Sequence, residues 1–281
     1  MTQAERTTDS TRRFPGGVRS ASSVAALSRR DRVLISTCLA LITALAWGYL
    51  VHLDRRMSFS MQHDTMMAEM GMTMVMPWAA ADVFFTFMMW TVMMVGMMAG
   101  TAAPVLLLFG AARAGRGERG VPLAVLMFGL GYVTVWIGFS ACATFAQWAL
   151  HEAAMLSPAM SASSPRLAGA ILIAAGTYQL TPFKGACLTH CHSPLGFLMS
   201  HWRDGNAGAL RMGVGHGGYC LGCCWALMGV LFVVGVMNLA WVAALSVFVL
   251  VEKIGPAAAV VARVAGAMMI IAGVLFVAGV T

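Results

Sequence analysis

The sequence predicts an all-α membrane protein, a polytopic bundle of about six to seven transmembrane helices. The chain is 59% hydrophobic and only 10% charged, whereas a soluble domain carries about 25% charged residues. Its apolar residues also form runs long enough to cross a bilayer, which takes about 20 residues in a helix. The formal charge of +7 is mostly arginine between these runs. This distribution indicates contact with a lipid bilayer and its headgroups and argues against nucleic acid as a partner.

The apolar runs follow a polar start. Residues 1–32 are rich in arginine and show no cleavable signal peptide, so we expect a disordered cytoplasmic tail ahead of a transmembrane domain over 33–281. The sixth run is shorter than a usual span, which leaves open whether it crosses the membrane or re-enters it. The expected spans are 33–53, 83–108, 121–150, 167–183, 218–235, 237–251 and 258–280.

The basic residues predict one orientation. With the N-terminus in the cytoplasm, 15 of the 18 Lys and Arg residues lie on the cytoplasmic side, as the positive-inside rule requires. The segment 54–82 is then an extracytoplasmic loop, and the segment 184–217 lies in the cytoplasm.

Methionine is concentrated in two neighbouring regions. Fourteen of the 24 Met residues fall between Met57 and Met98. In the loop, which is polar overall, methionine occupies every second position over 70–76. This pattern favours capture of a soft metal ion, although such a loop could also fold onto the membrane surface. In the second span they recur at helical spacing, which fits either core packing or a relay for metal ions. The candidate ligands are Met70, Met72 and Met74 in the loop and Met93, Met94, Met97 and Met98 in the span.

Five of the seven cysteines lie in two short motifs. The first motif is an i, i+4 pair that places both sulfurs on one helix face, with two histidines beside it. The second has the spacing of a metal knuckle. Soft sulfur ligands favour Cu(I), and zinc, which takes thiolate and imidazole, is the alternative. The candidate ligands are Cys187, His190, Cys191 and His192 in the first motif and Cys220, Cys223 and Cys224 in the second.

The two cysteine motifs can share one site only if the fifth span packs against the end of the fourth. Other polar residues near the span ends bear on this packing. Gln179 is a candidate for a hydrogen bond between helices. We expect Glu252 and Lys253 to pair with each other, or Lys253 to extend toward the membrane surface.

These motifs resemble those of a bacterial family of predicted metal-binding integral membrane proteins, often labelled copper chaperone-like. The resemblance covers about 83–255 and implies a helical bundle in the inner membrane with a role in copper handling. At His192 this chain departs from the family pattern, in which Arg is more frequent. The motifs are Trp90-x2-Met93-Met94-x2-Met97-Met98, Tyr178-Gln179-x2-Pro182-x-Lys184-x2-Cys187-x3-Cys191-x2-Pro194, Trp202-Arg203-x-Gly205, Cys220-x-Gly222-Cys223-Cys224-Trp225-x2-Met228, Gly235-x-Met237-Asn238 and Glu252-Lys253.

The leading hypothesis is a non-enzymatic protein that binds Cu(I) for copper transfer, trafficking or homeostasis. The outer methionine loop would collect the ion, the methionines of the second span would relay it, and the cysteines and histidines would hold it on the inner side. A periplasmic or cytoplasmic copper-handling protein is the expected partner.

Two other functions remain open. One is a membrane thiol–disulfide oxidoreductase that uses Cys220 and Cys223 and exchanges electrons with Cys187 and Cys191. The other is a non-catalytic assembly subunit for a copper enzyme, in which the cysteines serve packing.

Overall fold

The computed structural model describes residues 27–69, 78–153, 155–156, 161–255 and 257–279 of the chain. In these ranges the backbone is almost entirely helical, and extended backbone pairs only in one bridge between Leu156 and Ala162. The all-α prediction is confirmed. The helices are α1 Arg29–Glu69, α2 Ala80–Gly115, α3 Val121–Glu152, α4 Pro165–Gln179, α5 Pro182–His192, α6 Pro194–Ser200, α7 Gly205–Gly229, α8 Leu231–Val234, α9 Leu239–Ile254 and α10 Ala258–Ala278.

Five stretches of the described helices are long and apolar enough to cross a membrane, so the predicted number of six to seven spans is not confirmed. They are Arg29–Met57, Ala80–Gly115, Val121–Glu152, Gly205–Val234 and Ala258–Ala278. The predicted fourth and sixth spans correspond to α4 and α9, which have only 15 and 16 residues.

Proline and capping residues explain why these two helices are short. α4 ends at Gln179, and α5 begins at Pro182 with Thr181 as its cap. The residue before a proline disfavours helical geometry, so the predicted span 167–183 breaks here. α9 begins at Leu239, two residues after the predicted start of the sixth span, because the Asn238 side chain accepts a hydrogen bond from the backbone N–H of Trp241 and caps the helix. It ends at Ile254, so it is about as short as the predicted span.

The first helix is longer than predicted at both ends. It includes Arg29 to Arg32, which we assigned to the tail, and it continues to Glu69 through the first part of the predicted loop. Residues 54–69 contain neither Gly nor Pro, so nothing in their sequence interrupts a helix. The predicted ligands Met70, Met72 and Met74, like residues 1–26 of the tail, lie outside the described residues.

The predicted cytoplasmic segment 184–217 is also helical. It forms most of α5, all of α6 and the first half of α7, so the helix of the fifth span begins at Gly205 rather than near Gly218. Gly205 has a positive φ of 75°, which suits glycine at the turn into α7.

Glycines bring α3 and α7 into direct backbone contact. A Cβ on Gly213 would lie 2.0 Å from the carbonyl oxygen of Phe128, and one on Gly131 would lie 2.1 Å from that of Leu210. Further along the pair, Gly217 lies against Val135. Residue numbers rise together on the two helices, so α3 and α7 run parallel.

A parallel pair requires the intervening chain to return along the bundle. Of the helices between α3 and α7, α4 packs antiparallel against α10, with Gly169 against Gly273 and Gly176 against Gly266. α5 and α6 form the rest of the chain that returns between α3 and α7. The returning segment is therefore interrupted before Pro182, where we predicted one continuous span.

Candidate metal site

The structure brings the two cysteine motifs together. The Sγ atoms of Cys191 on α5 and Cys223 on α7 lie 3.9 Å apart. Cys187, one turn earlier on α5, faces Gly222 of α7, where a Cβ would lie 2.7 Å from the Cys187 Sγ. The helical i, i+4 spacing thus places both α5 thiols against the second motif, as predicted. We call the five clustered cysteines, Cys187, Cys191, Cys220, Cys223 and Cys224, the sulfur cluster.

One hydrogen bond and one ring contact of Tyr178 help to hold α4 and α7 beside each other at the cluster. Its hydroxyl donates a hydrogen bond to the carbonyl oxygen of Gly222, and its ring packs against that of Trp225 at 5.0 Å between centroids. The backbone that carries the second cysteine motif is thereby fixed at the end of α4.

The cysteines of α7 are buried, and all seven cysteines of the chain are free thiols. The thiols of Cys223 and Cys224 both donate hydrogen bonds to the carbonyl oxygen of Cys220, at 3.0 and 2.9 Å. A separation of 3.9 Å between Cys191 and Cys223 is too long for a disulfide, whose sulfurs lie about 2.05 Å apart. Two sulfurs that each lie about 2.3 Å from one metal ion in tetrahedral geometry are about 3.8 Å apart.

A lysine contacts the innermost cysteine. The Nζ atom of Lys253, on α9, lies 2.8 Å from the Cys220 Sγ and 3.3 Å from the Thr101 Oγ1. The hydroxyl of Tyr132, on α3, lies 2.9 Å from the same sulfur. Lys253 is only 7% exposed, and Tyr132 and Cys220 are also buried. Side chains of α3 and α9 thus contact Cys220 of α7, and Thr101 of α2 is linked to it through Lys253.

A second buried charge pair lies beside this lysine. Lys184 on α5 donates hydrogen bonds to both carboxylate oxygens of Glu252, at 2.7 and 2.8 Å, and another to the Gln179 Oε1. The Gln179 Nε2 donates to Glu252 at 3.5 Å, so the predicted hydrogen bond between helices is confirmed. The expected pairing of Glu252 with Lys253 is wrong, because α9 directs these adjacent side chains toward different helices.

The four candidate methionines of α2 face the core. Met93, Met94, Met97 and Met98 are at most 3% exposed, and we call them the methionine face. Met94 and Met98 also line a cavity of about 420 Å³ between α1, α2 and α3. The Met98 Sδ lies 3.9 Å from the Thr101 Oγ1, which in turn contacts Lys253. A short chain of contacts therefore links the methionine face to Cys220.

The two candidate histidines have other partners. The Nδ1 of His190 lies 2.9 Å from the carbonyl oxygen of Ala186, and its ring stacks on Tyr219 at 4.3 Å. The Nε2 of His192 lies 3.0 Å from the carbonyl oxygen of Gly255, which ties α5 to the turn before α10. The donors brought together are therefore sulfurs.

This donor set bears on the choice of metal. Among the described residues, no group of three His, Cys, Asp or Glu side chains meets the geometry of a formed metal site. A structural zinc site closes four ligands tetrahedrally, whereas soft sulfur donors suit Cu(I). Burial raises the pKa of the Cys187 thiol, with Cys223 as a smaller cause, so a metal bound there would displace a proton. The cluster is a set of soft sulfur donors of the kind that Cu(I) favours.

A family model for the copper chaperone PpoB2 matches residues 87–276. The chain belongs to the PpoB2 copper chaperone family. The match contains the methionine face, both cysteine motifs and Lys253, and it extends beyond the predicted resemblance at its C-terminal end. No curated protein and no solved structure matches the chain.

The PpoB2 region also contains site residues that sequence reasoning missed. Tyr132 and Thr101 gave no signal, because each is a single polar residue within a long apolar run. Lys184 is part of a family motif, and Lys253 is a cation next to an apolar span; such charges in membrane proteins are often functional. Their partners depend on which helices are neighbours, which the sequence does not state.

Proposed function

We propose that this protein binds Cu(I) in the bacterial inner membrane and transfers it to a copper-handling protein, with the sulfur cluster as the site that holds the ion. The observation that carries the proposal is the approach of Cys191 and Cys223, from different helices, to 3.9 Å beside Cys220 and its lysine. Membership of a copper chaperone family supports copper as the cargo.

The end of α9 and nearby basic residues support an assignment of the cluster to one side of the bundle. α9 ends at Ile254, next to the lysine that contacts Cys220. Arg113 lies in the last turn of α2, and Arg203 lies just before the start of α7. Because basic residues are enriched on the cytoplasmic side, we assign this side of the bundle and the N-terminus to the cytoplasm.

The methionine face offers a route to the cluster. Contacts of 3.9, 3.3 and 2.8 Å connect Met98, Thr101, Lys253 and Cys220, so the methionine face lies next to the cluster. The ion would pass from thioether to thiolate sulfur and not over the Lys253 ammonium. Thioethers are neutral and thiolates are anionic, so a cation is held more tightly at the cysteines than at the methionines. The ion would therefore move toward the cluster, and a partner with its own soft ligands would remove it. The sequence pattern of Met70, Met72 and Met74 suits the collecting end of this route.

Metal content tests the proposal. We expect purified protein incubated with Cu(I) and a competing chelator to retain copper. A Cys191→Ser, Cys220→Ser, Cys223→Ser triple variant should retain little, because each substitution removes a soft ligand. The matched control is Cys38→Ser, Cys142→Ser, which removes two exposed cysteines outside the cluster. Equal copper content in the triple variant and the unsubstituted protein contradicts the proposal.

The separation of Cys191 and Cys223 also favours a second candidate function, thiol–disulfide exchange. A modest shift of α5 would bring the two sulfurs to bonding distance, and their oxidation would pass two electrons and two protons to an acceptor. Alkylation in graded redox buffers distinguishes the functions. A redox enzyme gives a reversible disulfide, whereas a metal site gives thiols that copper protects and a chelator exposes.

A further inference from the structure

Lys253 is a buried lysine whose amino group contacts a cysteine sulfur. Its Nζ lies 2.8 Å from the Cys220 Sγ of α7 and 3.3 Å from the Thr101 Oγ1 of α2, and the residue is only 7% exposed. The adjacent carboxylate, Glu252, already accepts two hydrogen bonds from Lys184. The charges of Lys184 and Glu252 cancel each other, which leaves the ammonium of Lys253 to be balanced by Cys220.

A charge in such a place requires compensation. An isolated ion buried in a protein or membrane is costly, and a lone charge left by the loss of its partner is strongly destabilising. Lys253 and a Cys220 thiolate together are neutral. The hydroxyl of Tyr132, 2.9 Å from the same sulfur, can donate a hydrogen bond to the thiolate.

From this arrangement we propose that Lys253 selects the charge of the metal ion, so that the cluster prefers a monovalent soft cation held by two thiolates. The inference rests on the proposed binding of Cu(I). The two thiolates are Cys220 and one of its neighbours. These are Cys223, which donates a hydrogen bond to the Cys220 carbonyl oxygen at 3.0 Å, and Cys191, whose Sγ lies 3.9 Å from that of Cys223.

The charges balance when a monovalent ion binds. Cu(I) forms a bond to Cys220 and a bond to the second sulfur, whose S–H bond breaks and whose proton leaves to solvent. One positive charge enters and one departs, and no electron is transferred. The complex of Cu(I) with two thiolates carries a charge of minus one, which Lys253 offsets, so the buried site is neutral before and after binding.

A divalent ion does not balance in this way. With two thiolates it forms a neutral complex and leaves Lys253 without a counter-ion. The repulsion between the ammonium and a metal ion held by Cys220 is also twice as large for a divalent ion as for a monovalent ion at the same distance. Neutrality would then require a third thiolate and the loss of a second proton.

The test compares Cu(I) and Zn(II) affinities of the full-length protein in detergent, each measured against a competing chelator. The neutral variants are Lys253→Gln, which can still hydrogen-bond to Thr101, and Lys253→Met. The matched control, Lys253→Arg, keeps the charge. We expect the neutral variants to bind Cu(I) at least about tenfold more weakly and Zn(II) as tightly or more tightly, with the control within about threefold of the unsubstituted protein for both metals.

Two further readouts separate charge selection from a structural role. X-ray absorption of the copper-loaded protein should show two sulfur ligands. Circular dichroism checks that at least one neutral variant retains the helical fold. A purely structural role predicts equal losses for both metals, which would overturn the inference.

The outcomes also separate this inference from the proposed function. Unchanged Cu(I) affinity in a folded neutral variant overturns the inference and leaves the proposed function standing. Failure of the unsubstituted protein to bind Cu(I) overturns both.

Discussion

The α7 cysteines of the sulfur cluster and the methionine face are both buried. Among the described residues, a charged side chain contacts the cluster directly but reaches the methionine face only through Thr101. Lys253 contacts the innermost thiol of the cluster, and the Lys184–Glu252 pair lies next to that lysine. Around the methionine face the polar contacts are neutral, such as the 2.7 Å hydrogen bond from the Trp90 Nε1 to the Gln147 Oε1. Neutral thioethers leave the charge of a bound cation uncompensated, whereas thiolates offset it. Under the proposed function, the methionine face would therefore serve passage of an ion, and the cluster its retention.

The largest expected effect comes from the charges that distinguish the two regions. Lys184→Met should destabilise the protein by about 3–5 kcal/mol, because it leaves Glu252 buried without its counter-ion. A Lys184→Met, Glu252→Leu double variant should recover most of this loss. Thermal denaturation followed by circular dichroism measures both.

The matched control for the buried pair is Arg116→Met. Arg116 and Asp204 are 3.8 Å apart and their side chains are 54% and 83% exposed, so its loss should change stability by at most about 1 kcal/mol. If Lys184→Met is no more destabilising than this control, the charged network does not hold the cluster together.

The next largest effect on stability is expected where α3 and α7 cross, because this crossing positions Cys220 beside Tyr132. Gly213→Ala places a Cβ 2.0 Å from the Phe128 carbonyl oxygen, so α3 and α7 must separate at a cost of up to about 3 kcal/mol. Gly218→Ala, on the same helix, meets no atom within 4 Å and should cost nothing. Equal melting temperatures for the two variants would show that the close crossing is not required.

Removal of two thiols tests the difference between the sulfur cluster and the methionine face through Cu(I) affinity. Cys191→Ser, Cys223→Ser should lower Cu(I) affinity by about 100-fold, which corresponds to about 2.8 kcal/mol. Chelator competition measures the affinity, and Cys38→Ser serves as the control. A loss no greater than that of the control would remove the distinction between a holding site and a passage.

The smallest equilibrium effect is expected at the methionine face. Met94→Leu, Met98→Leu conserves volume and should change stability by less than about 1.5 kcal/mol. Copper content should stay the same, but transfer of Cu(I) across proteoliposome membranes should slow, because the thioethers are gone. Met268→Leu, at an exposed position of α10, is the control. Equal transfer rates would assign the methionine face to packing alone.

Local patterns in the sequence predicted a useful part of this site. The i, i+4 spacing of Cys187 and Cys191 correctly placed both thiols on one face of α5. The same reasoning gave His190 and His192 as ligands. The structure finds their rings engaged with Tyr219 and with the Gly255 carbonyl, so their role as ligands stays a prediction.

Span prediction failed where local stereochemistry overrode hydropathy. Hydropathy measures only transfer from water, so it predicted one continuous helix through Pro182 and a loop after residue 53. The structure instead has two helices on either side of the break before Pro182. The run without Gly or Pro after residue 53 continues α1 to Glu69, through the first part of the predicted loop. Neither effect enters an average over apolar residues.

The sequence by itself determined an all-α chain with apolar helices of membrane-crossing length, the clustering of its cysteines and methionines, and the face of α5 that carries the first thiols. These follow from composition and from helical periodicity, which act over a few residues. Only the tertiary structure decided that Lys253 meets Cys220 while its neighbour Glu252 meets Lys184, because such contacts depend on which helices cross and at what depth. The glycine-to-carbonyl contacts between α3 and α7 set that depth, and they join residues more than 75 positions apart.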